Sequence, residues 1–282
     1  MSKILLCSDG SAHSQVCCQF GSWILSQLEE AKLDVLYVSD LRQYEVPLIA
    51  DLSGSLGVQP YQSIISQLEE MEETKATALL EAAKSVFDDA GQGDRVKTHH
   101  ATGLLVDTLR EFEAPYELIL LGKRGQNSEF AAEHIGSTIE RVVRASHKPC
   151  LVTSREFHPI EKVALAFDGG ESCYKALEYV QNSGLFNGVE IHLVSVPEDK
   201  GEDFALRHLR EAEDLLIESG IEPVCQMLPG LPEDVITSYV EESGIAMLLM
   251  GAYGHSRIRR LLIGSTTTEM IRRCHIPLML FR

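Results

Sequence analysis

No run in these 282 residues approaches the ~18 consecutive apolar side chains that a membrane-spanning helix needs, so no membrane segment is expected. The opening residues Met1-Ser2-Lys3 are followed by only Ile4-Leu5-Leu6-Cys7 before Ser8-Asp9-Gly10, too short an apolar stretch for a secretory leader. A cytoplasmic protein is therefore expected. The seven cysteines are scattered and form no C-x-x-C pair, which argues against both a disulfide framework and a zinc site and for reduced, buried thiols. Positive charge is also scarce. With 25 Lys+Arg against 42 Asp+Glu and a formal net charge of -17, the chain lacks the basic surface that binding phosphate backbones requires, and no nucleic-acid partner is expected. A small anion remains compatible with that balance, because backbone N–H groups can hold it without net positive charge. The 44% hydrophobic content supplies a sizeable core.

What is present is one pattern written twice. An apolar run ending in Asp-Gly opens each half: Ile4-Leu5-Leu6-Cys7-Ser8-Asp9-Gly10 and Val163-Ala164-Leu165-Ala166-Phe167-Asp168-Gly169. After a helical stretch come Val35-Leu36-Tyr37-Val38 and the run Val189 to Val196, then weaker strands around Val96–His99 and Val224–Met227. Leu118-Ile119-Leu120-Leu121-Gly122 and Met247-Leu248-Leu249-Met250-Gly251 each lead into a glycine loop and a helix, and a run behind Pro149 or Pro277 closes each half. Short buried strands alternating with helices predict an α/β fold of two tandem five-stranded parallel sheets, open, twisted and covered by helices on both faces. The domains are expected at 1–154 and 160–282, joined by a brief linker that contains Pro159. Asp9 and Asp168 lie 159 residues apart but Gly122 and Gly251 only 129, so the first half carries about 30 extra residues. That insertion, about 41–75, contains Pro47, the loop 51–57 and the acidic helix 67–73, and reads as a solvated helix and surface loop or as a lid for a partner.

Ligands in an open parallel sheet sit at the carboxyl ends of the strands, where strand order reverses, and the glycines gather there. In the second half Gly251-Ala252-Tyr253-Gly254 follows a buried strand, and nine residues later Gly264-Ser265-Thr266-Thr267 begins a helix. Glycine allows backbone N–H groups close to a phosphate, the hydroxyls add donors, and the helix start directs its dipole at an anion. Asp168 can accept from a ribose hydroxyl or an adenine amine. Neither a Walker A loop nor a G-x-G-x-x-G loop occurs. The arrangement instead resembles the universal stress protein family, whose ATP-binding members carry G-x2-G-x9-G-[ST] after the fourth strand and an aspartate after the first. Gly251, Gly254, Gly264, Ser265 and Asp168 match that pattern, and the likeness covers both halves.

The resemblance implies a Rossmann-like, adenine nucleotide alpha hydrolase-like fold whose two domains form a pseudo-dimer through their final strands, around Leu151 and Leu278. It also implies ATP as ligand, with Mg2+ as a possible companion, and no strong catalytic base. The stronger site would use Phe167, Asp168 and Val196 against the base, with Met250, Gly251, Gly254, His255, Gly264, Ser265, Thr266 and Thr267 around the phosphates. The weaker site would use Asp9, Ser11, Val38, Leu121, Gly122, Arg124, Gly125, Gly136, Ser137 and Thr138. It departs from the pattern by one extra loop residue, and Glu129 and Glu133 stand where the second loop has Arg257, Arg259 and Arg260, although Lys123 and Arg124 add positive charge. The implied role is a stress-response regulator or sensor that homodimerises and engages an unidentified protein partner. Slow ATP hydrolysis, or a nucleotide-independent scaffold with vestigial sites, are the alternatives.

Other residues carry plainer readings. His99 and His100 should point to opposite faces of a strand, one partly buried and one exposed. Cys17, Cys18 and Trp23 read as core residues of the first helix rather than redox groups. Arg257, Arg259 and Arg260 suit either a phosphate clamp or a solvated face, and His255 suits either a phosphate contact or solvent.

Overall fold

The computed structural model describes residues 2–40, 60–123, 137–197, 201–252 and 264–282. Each half begins with a short apolar strand whose residues are buried almost end to end, the pattern of a sheet covered on both faces. In the first half these elements are β1 (Lys3–Ser8), α1 (Ala12–Gln27), β2 (Lys32–Ser39), α2 (Pro60–Asp89), β3 (Val96–Thr102), α3 (Leu105–Phe112), β4 (Leu118–Gly122), α4 (Ser137–Ala145) and β5 (Cys150–Thr153). The second half repeats the order as β6 (Lys162–Ala166), α5 (Glu171–Asn182), β7 (Glu190–Ser195), α6 (Glu202–Glu218), β8 (Val224–Met227), α7 (Pro232–Glu242), β9 (Met247–Gly251), α8 (Ser265–Arg273) and β10 (Leu278–Phe281).

The strands form one ten-stranded sheet in the order β3-β2-β1-β4-β5-β10-β9-β6-β7-β8. Pairing is parallel within each half and antiparallel only at the seam, where Leu278 faces Val152 and Leu280 faces Cys150. The predicted pairing of the final strands is thus what joins the two five-stranded units. At that seam β5 and β10 cover each other's edge, which removes two exposed edges from the molecule. The outer strands β3 and β8 have partly exposed alternate residues, which explains their weaker apolar signal in the sequence.

Two hydrophobic layers sandwich the sheet. One contains Phe20 and Ile24 of α1, Leu80 and Phe87 of α2, Leu177 of α5 and Leu209 of α6. The other contains Leu109 of α3, Val142 of α4, Ile236 of α7 and Met270 of α8. Cys17 and Cys18 lie in the first layer, and burial pushes each thiol up to about 12, which fits packing rather than redox chemistry. Trp23 departs from its expected place: it is half-buried, against the first layer, and lines a groove of about 530 Å³ beside Phe157 and Ile160. His99 is half-buried beside Asp34 and His100 is exposed beside Ser39, the predicted split.

The acidic stretch 67–73 belongs to the 30-residue helix α2, against 17 residues for its counterpart α6. Most of its carboxylates are solvated. Glu72 is not: it is buried, accepts a 3.2 Å hydrogen bond from Tyr37 Oη and pairs with Lys75 at 3.4 Å. Pro47 and the loop 51–57 lie outside the described residues.

Candidate functional site

Strand order reverses at β1, which lies between β2 and β4, and again at β6, between β7 and β9. Such switch points open a crevice at the carboxyl ends of the strands. The predicted site residues that the structure describes fall at those ends. Asp9 and Ser11 follow β1, Val38 is near the end of β2, Leu121 and Gly122 end β4, and Ser137 and Thr138 open α4. Correspondingly, Phe167 and Asp168 follow β6, Val196 follows β7, Met250 and Gly251 end β9, and Gly264 precedes α8, which holds Ser265, Thr266 and Thr267. Arg124, Gly125, Gly136, Glu129 and Glu133 lie outside the described residues, as do Gly254, His255, Arg257, Arg259 and Arg260.

The second crevice is built from close backbone approaches. Asp168 accepts from the N–H of Gly170 at 2.7 Å, a tight turn that needs the left-handed backbone of Gly169 at φ 71°. A Cβ on Gly169 would also lie 2.8 Å from the His208 ring. Gly251 answers a different demand: a Cβ there would lie 3.1 Å from Ser172 and 3.3 Å from the Cys173 sulfur, so its lack of a side chain lets β9 reach the start of α5. Burial, followed by the neighbouring Asp168 charge, pushes the Cys173 thiol up. The helix α8 starts at Gly264, which has no side chain to cap it and whose N–H donates to the Ala252 carbonyl at 3.2 Å, so the positive end of the helix dipole lies at the carboxyl end of β9.

Three predicted residues play narrower parts than the sequence suggests. The ring of Phe167 is buried and meets Tyr174 edge-on at 5.1 Å, so Phe167 can offer a ligand only its main chain. Met250 is likewise buried. Thr267 is buried and its hydroxyl donates to the Gly251 carbonyl at 3.3 Å, tying α8 to β9.

The first crevice is wired differently. Asp9 accepts from Ser14 Oγ at 2.6 Å and from the Ser11 N–H at 3.0 Å, while the Asp9 N–H donates back to Ser14 Oγ at 2.9 Å. Leu79 of α2, not an imidazole, lies over Gly10. Among the described residues Ser11 Oγ is buried without a hydrogen-bond partner, a polar atom suited to a ligand at this loop. The glycine start of α8 and the Ser11 hydroxyl are therefore features that a nucleotide's polar groups fit.

Sequence reasoning missed Ser14, Leu79 and His208. Ser14 could have been suspected from its place in the first turn of a helix after an aspartate, where a hydroxyl can reach back. Leu79 and His208 come from helices far along the chain, and no local spacing marks them. His208 is gripped by Tyr174 Oη at 3.2 Å and Glu211 at 3.4 Å, and its ring centroid lies 4.4 Å from that of Phe204. Burial and the bond to Glu211 push Tyr174 up to about 12.

Fold and crevices together define a tandem, doubly wound α/β protein with two switch-point clefts. The universal stress protein family model matches residues 1–154 and again 159–282, and the chain belongs to that family. It is 38% identical to Universal stress protein Slr1230 of Synechocystis over 289 residues, covering 100% of both chains. Among solved structures it is similar to a universal stress protein from Archaeoglobus fulgidus at TM-score 0.70 and 23% identity, covering 99% of this chain and 96% of that one. A putative universal stress protein from Pseudomonas aeruginosa matches at TM-score 0.60 and 14% identity, over 100% of this chain and 93% of that one. Among the described residues no helix is long and apolar enough to cross a membrane.

Proposed function

We propose that this protein binds ATP at the carboxyl ends of its two half-sheets, most strongly in the second half, and acts as a nucleotide-dependent stress regulator. The observation that carries this reading is the second crevice, where glycine-turned Asp168 follows β6 and the glycine start of α8 is tied to Ala252 at the end of the neighbouring β9. Asp168 would hold the ribose or the adenine amine, the main chain of Phe167 and Val196 would line the base, and Ser265 and Thr266 would present N–H groups to the phosphates, since the Gly264 N–H already donates to the Ala252 carbonyl at 3.2 Å. Residues 1–154 and 160–282 would be the two nucleotide-binding domains, and Mg2+ would neutralise part of the phosphate charge. Cytoplasmic location, homodimerisation and a protein partner that senses the loaded state belong to the same proposal.

The test is the nucleotide content of purified protein by absorbance ratio and mass spectrometry, followed by calorimetric titration with ATP. Adenine nucleotide should be present, and Asp168→Ala or Gly264→Val should weaken binding at the second site at least tenfold. Absence of ATP binding from both sites would overturn the reading. Metal-dependent ADP release would move it towards a slow ATPase.

A further inference from the structure

The two halves meet through more than the seam of strands. Lys123, directly after Gly122 at the end of β4, extends its ammonium across the interface to the main-chain carbonyl of Cys274. Cys274 is the C-cap of α8. The far end of that helix, nine residues long and so about 13 Å away, is the glycine start at Gly264, beside the end of β9 in the second crevice. One side chain thus links the first glycine loop to the helix that serves the other site.

The second half makes the link with a different residue. Gly251 is the counterpart of Gly122, and the residue after it is Ala252, which is buried and has no charge to send back. The reciprocal helix α4 also receives a cation from the opposite half, since Arg282 donates to the Arg144 carbonyl at 2.7 Å. Arg282 directly follows Phe281 of β10, which pairs with Gly251 and accepts from the Ala252 N–H at 2.8 Å, so this cation starts from the strand beside the second glycine loop. Both last helices therefore receive a cation across the seam, α8 from the residue that follows Gly122 and α4 from the end of the strand that pairs with Gly251.

We propose that Lys123 couples the two nucleotide sites, so that occupancy of the second weakens the first. This rests on the proposed ATP binding. A cation at a helix C-terminus interacts favourably with the negative end of the helix dipole, and an anion does so at the N-terminus. Phosphate at the start of α8 orders the helix and tightens its hold on Lys123. ATP at the first loop needs that same ammonium for its own phosphates, and must draw it away from Cys274. Each ligand therefore opposes the other, and linkage makes the opposition equal in both directions.

The experiment compares the first-site dissociation constant for ATP with the second site disabled, in the Asp168→Ala/Gly264→Val double variant, and filled, in the unaltered protein, each with and without Lys123→Met. With Lys123 present, filling the second site should weaken the first by roughly fivefold. With Met at that position the ratio should fall to about one, and Lys123→Arg, which keeps a donor, should restore part of it. Hydrogen exchange on ligand-free protein gives a second readout, with amides 270–274 exchanging faster in Lys123→Met. A ratio of one in the unaltered protein, a ratio indifferent to Lys123→Met, or unchanged exchange overturns the coupling. If ATP binds neither site, the proposed function fails and the coupling falls with it; if ATP binds and the ratio ignores Lys123, only the coupling fails.

Discussion

The two halves of this chain share a topology strand for strand, yet they secure and equip it with different chemistry. At the amino ends of the strands the first half buries a carboxylate, Asp34, which accepts from Tyr116 Oη at 2.6 Å and lies 3.5 Å from Lys3 and 3.4 Å from His99. The second half assembles the same residue types with the carboxylate outside: exposed Glu190 contacts buried His192 at 2.7 Å and Lys162 at 3.4 Å, and His192 in turn meets Tyr239 Oη at 2.7 Å. At the carboxyl ends a leucine covers one Asp-Gly turn and an imidazole the other. Topology follows from where apolar strands fall in the sequence, and many side chains satisfy it. The polar pairs and the covers over the turns are single residues, so they can diverge without altering the sheet.

The largest expected difference between the halves lies in those polar clusters. Asp34→Ala removes the acceptor of buried Tyr116 and should cost about 3 kcal/mol in denaturant unfolding, because a stranded buried donor forfeits its solvation as well as its bond. Burial, and next the bond to Asp34, already push Tyr116 up, the mark of a hydroxyl committed to donating. Glu190→Ala should leave the midpoint much closer to that of the unaltered protein, since solvent can replace an exposed carboxylate. Equal losses would show that the two clusters are equivalent despite their different burial.

A smaller contrast concerns the turns. Both Gly10 and Gly169 have positive φ, at 75° and 71°, so an alanine at either position is strained by about 1 kcal/mol. At Gly10 the new methyl would strike the ends of Leu79, which can rotate away. At Gly169 it would strike an imidazole held by Tyr174 and Glu211, so Gly169→Ala should cost about 2 kcal/mol in thermal unfolding and Gly10→Ala about half that. The reverse order would mean that Leu79 is the more rigid cover.

The duplicated frame was legible because it rests on local signals: buried strands read as apolar runs, and glycines punctuate their carboxyl ends. The pairing of β5 with β10 was legible only through family resemblance, since nothing in Leu151 or Leu278 specifies a partner strand. Asp9, Asp168 and the start of α8 could be placed from spacing alone. Lys123, Leu79 and His208 could not, because they act on residues 151, 69 and 39 positions away respectively, and their roles arise from packing between distant segments. Glu72 escaped for a related reason: within an acidic run nothing distinguishes the one carboxylate whose helical phase turns it towards Tyr37.

The smallest effect separates the polar clusters by pH. The His192 hydrogen bond, with Lys162 assisting, lowers Glu190 below its ordinary value of 4.5. A carboxyl group lowered in the folded state adds stability above its unfolded value and loses that contribution as pH falls through the folded one. Glu190→Gln should therefore lower the melting temperature slightly at pH 6, with the gap to the unaltered protein closing as pH drops below about 4. Because Glu190 is exposed, salt should shrink the gap as well, since screened surface pairs contribute little. A gap that persists at low pH and high salt would assign the effect of Glu190 to packing against His192, and would make the second cluster as structural as the first.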